Sequence, residues 1–399
     1  VMNRAAALRA EGVEVLNFSA GEPDFNSPQK AKDAAIAALQ ANQTKYLPTT
    51  GDPASRALIA KILTERNRIP GVTPDHVLIT AGVKMALYLA FQGLFDLPAP
   101  GESPLELLLP VPAWVSFAPM AELAGAKVVE LPTTTASDFK ITPEQLRAAI
   151  TPRSRVLLIN SPSNPCSTMY TPEELHALAR VVAEAAATTA PGLVIVADEL
   201  YQNIVFSDVP FTSIGSFPEV AERTLTINGP GKSFAMTGWR LGWVSGSGAF
   251  GKAFIAGLSK LQGQTITCVQ PFALAGARVA LTECESDLAA MRAAFAKRAE
   301  LIYTRLHALP GVKVARPLGA FYAFPDISSV FGKTTPRGTR VNSAADFASA
   351  LLDECRMAVV PGEDFGGVGK HHIRMSFACS EAVIEEGVKR LGGLMAAMR

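Results

Sequence analysis

The sequence predicts an α/β fold: a large domain on a mostly parallel seven-stranded sheet sandwiched by helices, with a smaller α+β domain after it. Three observations predict it. Short apolar runs alternate with longer helical patterns through the first two thirds of the chain. Several runs are apolar on both faces, as strands buried between helix layers must be. The alternation ends after about Leu281, where a long helical pattern opens a different texture.

The strand candidates are Val77–Thr80, Leu105–Leu109, Lys127–Leu131, Val156–Asn160, Leu193–Ala197, Thr224–Ile227 and Leu241–Ser245. Helices are expected at Lys84–Phe95, Pro172–Ala187, Phe250–Gln262 and Phe272–Glu283. Thr171 is placed to cap the second of these, with Glu174 at the capping-box position. Beyond Leu281 the pattern gives a helix at Ser286–Ala308, strands at Val312–Ala315 and Phe321–Phe324, and a helix at Ala344–Glu354. A strand at His372–Phe377 and a last helix at Glu381–Met398 complete it. Phe331–Asn342, rich in Gly, Thr, Lys and Arg, reads as an exposed loop. Residues before Pro28 read as an arm and a loop outside the main sheet. The expected organisation is therefore an arm at 1–28 that joins the small domain, a large domain at 29–285 and a small domain at 286–399.

Composition narrows the function classes. The chain has 399 residues, 48% hydrophobic and 18% charged, with a formal net charge of +1. That size predicts two or three domains, and the apolar content argues against disorder. A near-neutral chain has no global field to attract nucleic acid or an anionic membrane, so neither partner is expected. The uncharged stretch Leu107–Ala121 is too short to span a bilayer and is broken by Pro110, Pro112 and Pro119. No signal-peptide pattern is read in the opening residues. Five cysteines, with no CxxC pair, fit a reducing cytoplasm better than a disulfide framework, and no metal site is expected.

Ligands in open α/β sheets bind beyond the carboxyl ends of the strands. Polar groups from four segments fall there: Ala81-Gly-Val-Lys84, Asn160 with Asn164, Asp198, and Asn228 with Gly229-Pro-Gly-Lys232. Singly, each has a plain structural explanation. A lysine such as Lys232 is usually solvated, an Asp such as Asp198 often caps a helix, and Asn164 before a proline forms turns. Gly82 suits a turn, Trp114 a core, and Arg240 and Arg374 surface ion pairs.

Taken together the motifs carry more. Gly21-Glu-Pro-Asp-Phe25, Lys45-Tyr46, Trp114-Val-Ser116, Asn160-Ser-Pro-Ser-Asn-Pro165 and Ala197-Asp-Glu-Leu-Tyr201 occur in this order. Lys232-Ser-Phe-Ala-Met-Thr-Gly-Trp-Arg-Leu-Gly242, Gly319-Ala-Phe-Tyr322 and Arg374-Met-Ser-Phe377 follow. Over nearly the whole chain this resembles the class I, fold-type-I aminotransferases that use pyridoxal 5′-phosphate. Within them it is most similar to the bacterial and plant aspartate and prephenate enzymes.

The resemblance implies a role for each residue. Lys232 matches the lysine that binds the cofactor aldehyde and shuttles the proton, since an amine condenses reversibly with aldehydes and can act as a mobile base. Asp198 matches the partner of the pyridine nitrogen, and Tyr201 and Asn164 match donors to the ring 3-oxygen. Trp114 matches the aromatic stacked on the ring. Gly82, Val83, Arg240 and Tyr46 match the phosphate cup, the tyrosine coming from the second subunit of a homodimer. Arg374 matches the clamp on the substrate α-carboxylate, with the Gly21 backbone and Asn164 as helpers. Lys84 matches a lysine that reaches a distal carboxylate, which favours aspartate or glutamate as amino donor and 2-oxoglutarate or oxaloacetate as acceptor.

Departures from the pattern are Gly231 beside the lysine, Met85, Asp52 and Cys166-Ser167. Asp52 would repel an acidic substrate if it lined the site, and Cys166 reads as a packed residue. Met2 falls where prephenate-using members carry a threonine. Two other enzyme readings keep the same fold: a transaminase for aromatic, prephenate-like or specialised donors, and a carbon–sulfur β-lyase. A non-enzymatic module that merely retains the fold is opposed by the intact set Lys232, Asp198, Arg240 and Arg374.

Overall fold

The seven apolar runs pair into one sheet in the computed structural model, which describes residues 2–99 and 101–399. A short strand, β1 (Leu16–Asn17), comes first. The sheet comprises β2 (Val77–Thr80), β3 (Glu106–Val111), β4 (Lys127–Pro132), β5 (Ser154–Asn160), β6 (Val194–Asp198), β7 (Thr224–Asn228) and β8 (Gly242–Gly246). Their order is β2-β8-β7-β6-β5-β3-β4, and only β8 runs antiparallel to its neighbours. The sheet is thus mostly parallel, as expected, and β8 has a consequence for the site. Its amino end lies at the edge where the other six strands place their carboxyl ends.

Period-two alternation divides the core between the two faces. Leu107 and Leu109 pack with the helices Val83–Leu94, Phe117–Leu123 and Gly248–Gly263, whereas Leu108 between them packs with Pro172–Ala187 on the opposite side. The last helix begins where expected. The Thr171 N–H donates to Glu174 Oε2 at 2.8 Å, and the Glu174 N–H donates back to Thr171 Oγ1 at 3.2 Å. These bonds satisfy two backbone donors that a helix start otherwise leaves unpaired.

After the long helix Glu285–His307 come β9 (Tyr322–Ala323), β10 (Met357–Ala358), β11 (Val360–Pro361) and β12 (Ile373–Ser376), with helices Ala344–Cys355 and Glu381–Ala397. β11, β12 and β9 form an antiparallel sheet, and β1 pairs in parallel with β10. The amino-terminal residues are thereby held against the carboxy-terminal elements and stay out of the main sheet. Arg298 also grips Asp24 through both terminal guanidinium nitrogens, at 2.7 and 3.0 Å.

Two expectations are corrected. Val312–Ala315 is not a strand. Bounded by Pro310-Gly311 and Pro317, it makes a single bridge, Lys313 to Asp326. Phe331–Asn342 is not wholly an exposed loop, because Val341 and Thr335 are buried and Thr334 pairs with Arg340 in a small turn-back. The chain's last residue covers this segment through backbone bonds between Thr334 and Arg399. The sequence pattern does not predict the helices Met2–Ala10, Gln29–Gln40, Pro53–Glu65, Phe117–Leu123 and Pro143–Ala149. The side chain of Met2 lies outside the described residues.

His372, at the edge of β12, gives the fold a pH dependence. Its ring stacks on Phe324 with centroids 4.7 Å apart and meets Phe139 edge-on at 5.5 Å, and neither ring nitrogen has a hydrogen-bond partner among the described residues. Burial pushes its pKa down to about 4, outweighing the nearby Asp326. The native state therefore refuses a proton that the unfolded chain accepts, so stability falls as pH drops from about 6.5 to about 4. His372→Phe keeps the stacking and removes the titration. Urea midpoints at pH 7 and pH 4.5 should show the wild type losing about 2–3 kcal/mol more than the variant. Parallel losses would refute this assignment.

Candidate active site

Along the carboxyl edge of the sheet lies a cavity of about 400 Å³. The strand register builds it. Asn160 ends β5 level with Asp198 at the end of β6, and Asn228 of β7 lies opposite Trp243. β2 ends at Thr80 opposite Gly242, the first residue of the reversed strand β8. The reversal brings Arg240, just before β8, to the same edge as Gly82 and Val83, just after β2. Lys232 follows β7, and Trp114 follows β3. Asn160, Asp198, Gly82, Val83, Arg240, Lys232 and Trp114, with Gly21, Lys84, Asn164, Tyr201 and Arg374, line the one cavity, whereas Asn228, expected here, borders a separate small pocket with Gly229 and Pro230.

Asp198 is buried, and its Oδ1 accepts the Leu200 N–H at 3.2 Å. Burial raises its pKa to about 7, against the lowering effects of that bond and of the Lys232 charge. The adjacent Glu199 turns away from the cavity, where Ser213 Oγ and Asn67 Nδ2 donate to it at 2.6 and 3.0 Å. Only one of the two neighbouring acids is therefore available to a ligand. Lys232 Nζ donates to the Gly21 carbonyl, and burial pulls its pKa down to about 8. A lysine with that proton affinity has an accessible neutral amine near neutral pH.

At one end of the cavity the helix Val83–Leu94 opens without a side-chain cap. Gly82 has φ +87°, and a Cβ there would lie 2.5 Å from Arg240 Nη2. Glycine thus lets the guanidinium lie against the turn and leaves backbone N–H groups facing the cavity, the arrangement that suits a phosphate. At the other end Arg374, on β12, donates to Asn164 Oδ1 at 3.1 Å and to the Ser19 carbonyl at 2.9 Å. Its guanidinium lies over the rings of Tyr322 and Phe365, and its Nε has no partner among the described residues. Lys84 Nζ lies 5.0 Å from the Trp114 ring centroid. Among the described residues none of Lys84, Lys232, Arg240 and Arg374 has a carboxylate within 4.0 Å. Four unpaired cations around one cavity call for anionic ligands, with one anion at each end.

The comparison with known proteins matches this geometry. A family model described as aminotransferase class I and II matches residues 13–391. The chain belongs to that aminotransferase family. It is 37% identical to an aspartate aminotransferase of Bacillus sp. (strain YM-2), over 97% of this chain and 93% of the relative. It is equally identical to an aspartate/prephenate aminotransferase of Cereibacter sphaeroides, over 100% of this chain and 95% of the relative. The crystal structure of the aspartate aminotransferase from Rhizobium meliloti superposes with a TM-score of 0.91 at 32% identity, covering 100% of this chain and 95% of the other. The fold is that of the fold-type-I aminotransferases.

The structure places the family departures as follows. Asp52 does not line the cavity of this aminotransferase. It caps the helix Pro53–Glu65 by accepting from the Ser55 N–H at 2.9 Å, and it pairs with Arg278 at 3.1 Å. The repulsion of acidic substrates that it would have caused inside the site is therefore absent. Met85 packs into the core beneath the helix start, and Cys166 is buried beside Phe139, Phe324 and Phe365. A Cβ at Gly231 would meet nothing closer than 3.7 Å, so no crowding requires glycine there. Tyr46 is 87% exposed and lies outside this chain's own cavity.

The assignment of roles from sequence missed several lining residues, among them Ser19, Tyr322, Asp364 and Phe365. Tyr322 had a signal, the Gly319-Ala-Phe-Tyr322 motif. Ser19 and Asp364 had none, because each lies on an irregular segment whose approach depends on how the chain ends pack.

Proposed function

We propose that this chain is a pyridoxal 5′-phosphate-dependent transaminase. It takes the amino group from L-aspartate or L-glutamate and gives it to 2-oxoglutarate or oxaloacetate in a ping-pong cycle. The observation that carries the reading is one half-buried lysine, Lys232, in a cavity with an arginine free of carboxylates at each end, Arg240 and Arg374.

The residues fit the cofactor. The glycine turn at Gly82, the uncapped helix start and Arg240 suit its phosphate. Asp198 suits a ring nitrogen, whose positive charge would hold this carboxyl ionised against the burial that raises its pKa. When bound, the cofactor supplies an aldehyde that captures an amine and a ring that withdraws electrons from the adjacent carbon. Lys232 provides the amine and, once released, the base: Nζ takes the proton from the substrate Cα and returns it at the neighbouring carbon. Tyr201 and the amide nitrogen of Asn164 would donate to the ring oxygen, while Trp114 covers a ring face. Arg374, fixed by Asn164 and Ser19, forks onto the α-carboxylate. Lys84 stands ready for a second carboxylate, which supports a dicarboxylic substrate.

We further propose a homodimer in the cytoplasm in which Tyr46 completes the partner's phosphate cup. Its exposure supports this, and the five free cysteines suit a reducing setting. The unit 286–399 with the arm 1–28 would close over the unit 29–285, with the Gly21 carbonyl that Lys232 already meets as a point of contact. Among the described residues no helix is long and apolar enough to cross a membrane.

The experiment is a half-reaction. The cofactor-loaded protein is mixed with L-aspartate, L-glutamate, L-phenylalanine or L-alanine without a keto acid, and its absorbance is followed. The expected result is rapid conversion to the pyridoxamine form with the two dicarboxylates alone. Conversion only with phenylalanine or alanine would overturn the substrate class. Release of ammonia and pyruvate without an acceptor would mark a β-lyase.

A further inference from the structure

Tyr322 carries no role in the reading above, yet it lines the cavity at its Arg374 end. Its side chain is buried and lines the cavity, and its hydroxyl is 2.8 Å from that of Tyr201. Its ring lies 4.7 Å beneath the Arg374 guanidinium. Ser167 fixes the backbone at this point. Its Oγ accepts the Tyr322 N–H at 2.8 Å, and its carbonyl accepts from Leu318 and Gly319.

The two phenols share one short contact and hold two protons. Among the described residues each hydroxyl has the other as its only hydrogen-bond partner. If Tyr201 donated to Tyr322, its single proton would be spent there, and the Tyr322 proton would have no acceptor. If Tyr322 donates, both protons are accounted for: its own goes to Tyr201, and the Tyr201 proton is free for a ligand oxygen in the cavity. Electrostatics favours the second arrangement. Burial raises both phenols and the Arg374 cation lowers both, but Asp198 raises only Tyr201, so Tyr322, whose ring the guanidinium covers, is the more acidic phenol and the better donor.

We propose that Tyr322 is a positioning residue that donates its hydroxyl proton to Tyr201 and so aims the Tyr201 hydroxyl at the cofactor ring oxygen, with Ser167 holding Tyr322 in place. The inference rests on the role proposed above for Tyr201. A donor that itself accepts a hydrogen bond is strengthened, because chained bonds polarise one another. Tyr322 therefore helps Tyr201 stabilise the deprotonated form of the bound chromophore.

The test is the pH midpoint of the absorbance change of the cofactor bound to Lys232, read without any substrate. Wild type, Tyr322→Phe, Tyr201→Phe and the double variant are compared. Tyr322→Phe keeps the ring beneath Arg374 and loses only the hydroxyl. Its midpoint should rise by roughly half a pH unit, about threefold in proton affinity. Tyr201→Phe should raise it further, and the double variant should match Tyr201→Phe, since Tyr322 acts through Tyr201. An unmoved midpoint in Tyr322→Phe beside a raised one in Tyr201→Phe overturns the proposal alone, as do additive shifts. An unmoved midpoint in Tyr201→Phe overturns the role of Tyr201 and this proposal with it. Should Tyr322→Phe fail to fold, Ser167→Ala leaves both phenols present and must raise the midpoint; no shift there overturns the proposal.

Discussion

Replacing Lys232 by alanine lowers turnover with every amino donor by ~10⁴-fold or more, the scale of a lost base, with the covalent attachment lost as well. The size of the effect follows from what remains. Asp198, the other titratable group nearest the reacting position, is a carboxyl raised to about 7 and placed for the ring nitrogen. Tyr201 and Tyr322 are phenols held above their usual range by burial. None replaces an amine that both binds an aldehyde and moves a proton between two carbons. The fold survives, because among the described residues Lys232 makes no ion pair and its one hydrogen bond, to the Gly21 carbonyl, belongs to a loop. The measurement is steady-state turnover of Lys232→Ala with and without millimolar methylamine, together with its thermal midpoint. A small amine should restore part of the lost rate by occupying the vacated space. A folded variant that kept a tenth of wild-type turnover would remove Lys232 from the chemistry.

The sequence made the edge of the sheet legible because two periodicities reinforce each other there. Strands buried on both faces must be apolar throughout, so the first polar residue after each run marks the carboxyl end. Asn160, Asp198 and Asn228 all end their strands. Helix starts were equally visible where a cap is local, as with Thr171 and Glu174. What failed was whatever depends on a distant partner. Val312–Ala315 alternates like a strand but has only Asp326 to pair with. Asp52 looked like a charge near the substrate until Ser55 and Arg278 occupied it. The donors and acceptors around Arg374 come from Ser19, Asn164 and β12, which lie up to 355 positions apart in the chain. No local pattern encodes that meeting. The same holds for the Tyr201–Tyr322 contact, since the motifs name both residues and the bond between them appears only in three dimensions.

Arg374→Ala should lower kcat/KM for aspartate by about 10²–10³-fold, the cost of truncating one partner of a buried charge pair. The argument starts from its setting. A buried guanidinium with no carboxylate partner is costly unless a ligand supplies the charge. Here Tyr322 and Phe365 hold the cation between their rings, and Asn164 Oδ1 and the Ser19 carbonyl take two of its five N–H donors. Nε remains unpartnered among the described residues. The fork is therefore held in place with donors to spare, and a ligand carboxylate gains two aligned bonds without reorganising the protein. Arg374→Lys keeps the charge and loses the planar fork, so it should recover no more than about a tenth of the lost activity. Stability separates this from misfolding. Removing the guanidinium strands two acceptors at about 1 kcal/mol each, but it also removes an unpaired buried charge, so the thermal midpoint should move little. Binding gives a second readout: the dissociation constant of succinate, a dicarboxylate that carries no amine to transfer, should rise by a similar factor. A variant that binds succinate as wild type does, and turns over aspartate within tenfold of it, would place the α-carboxylate elsewhere in the cavity.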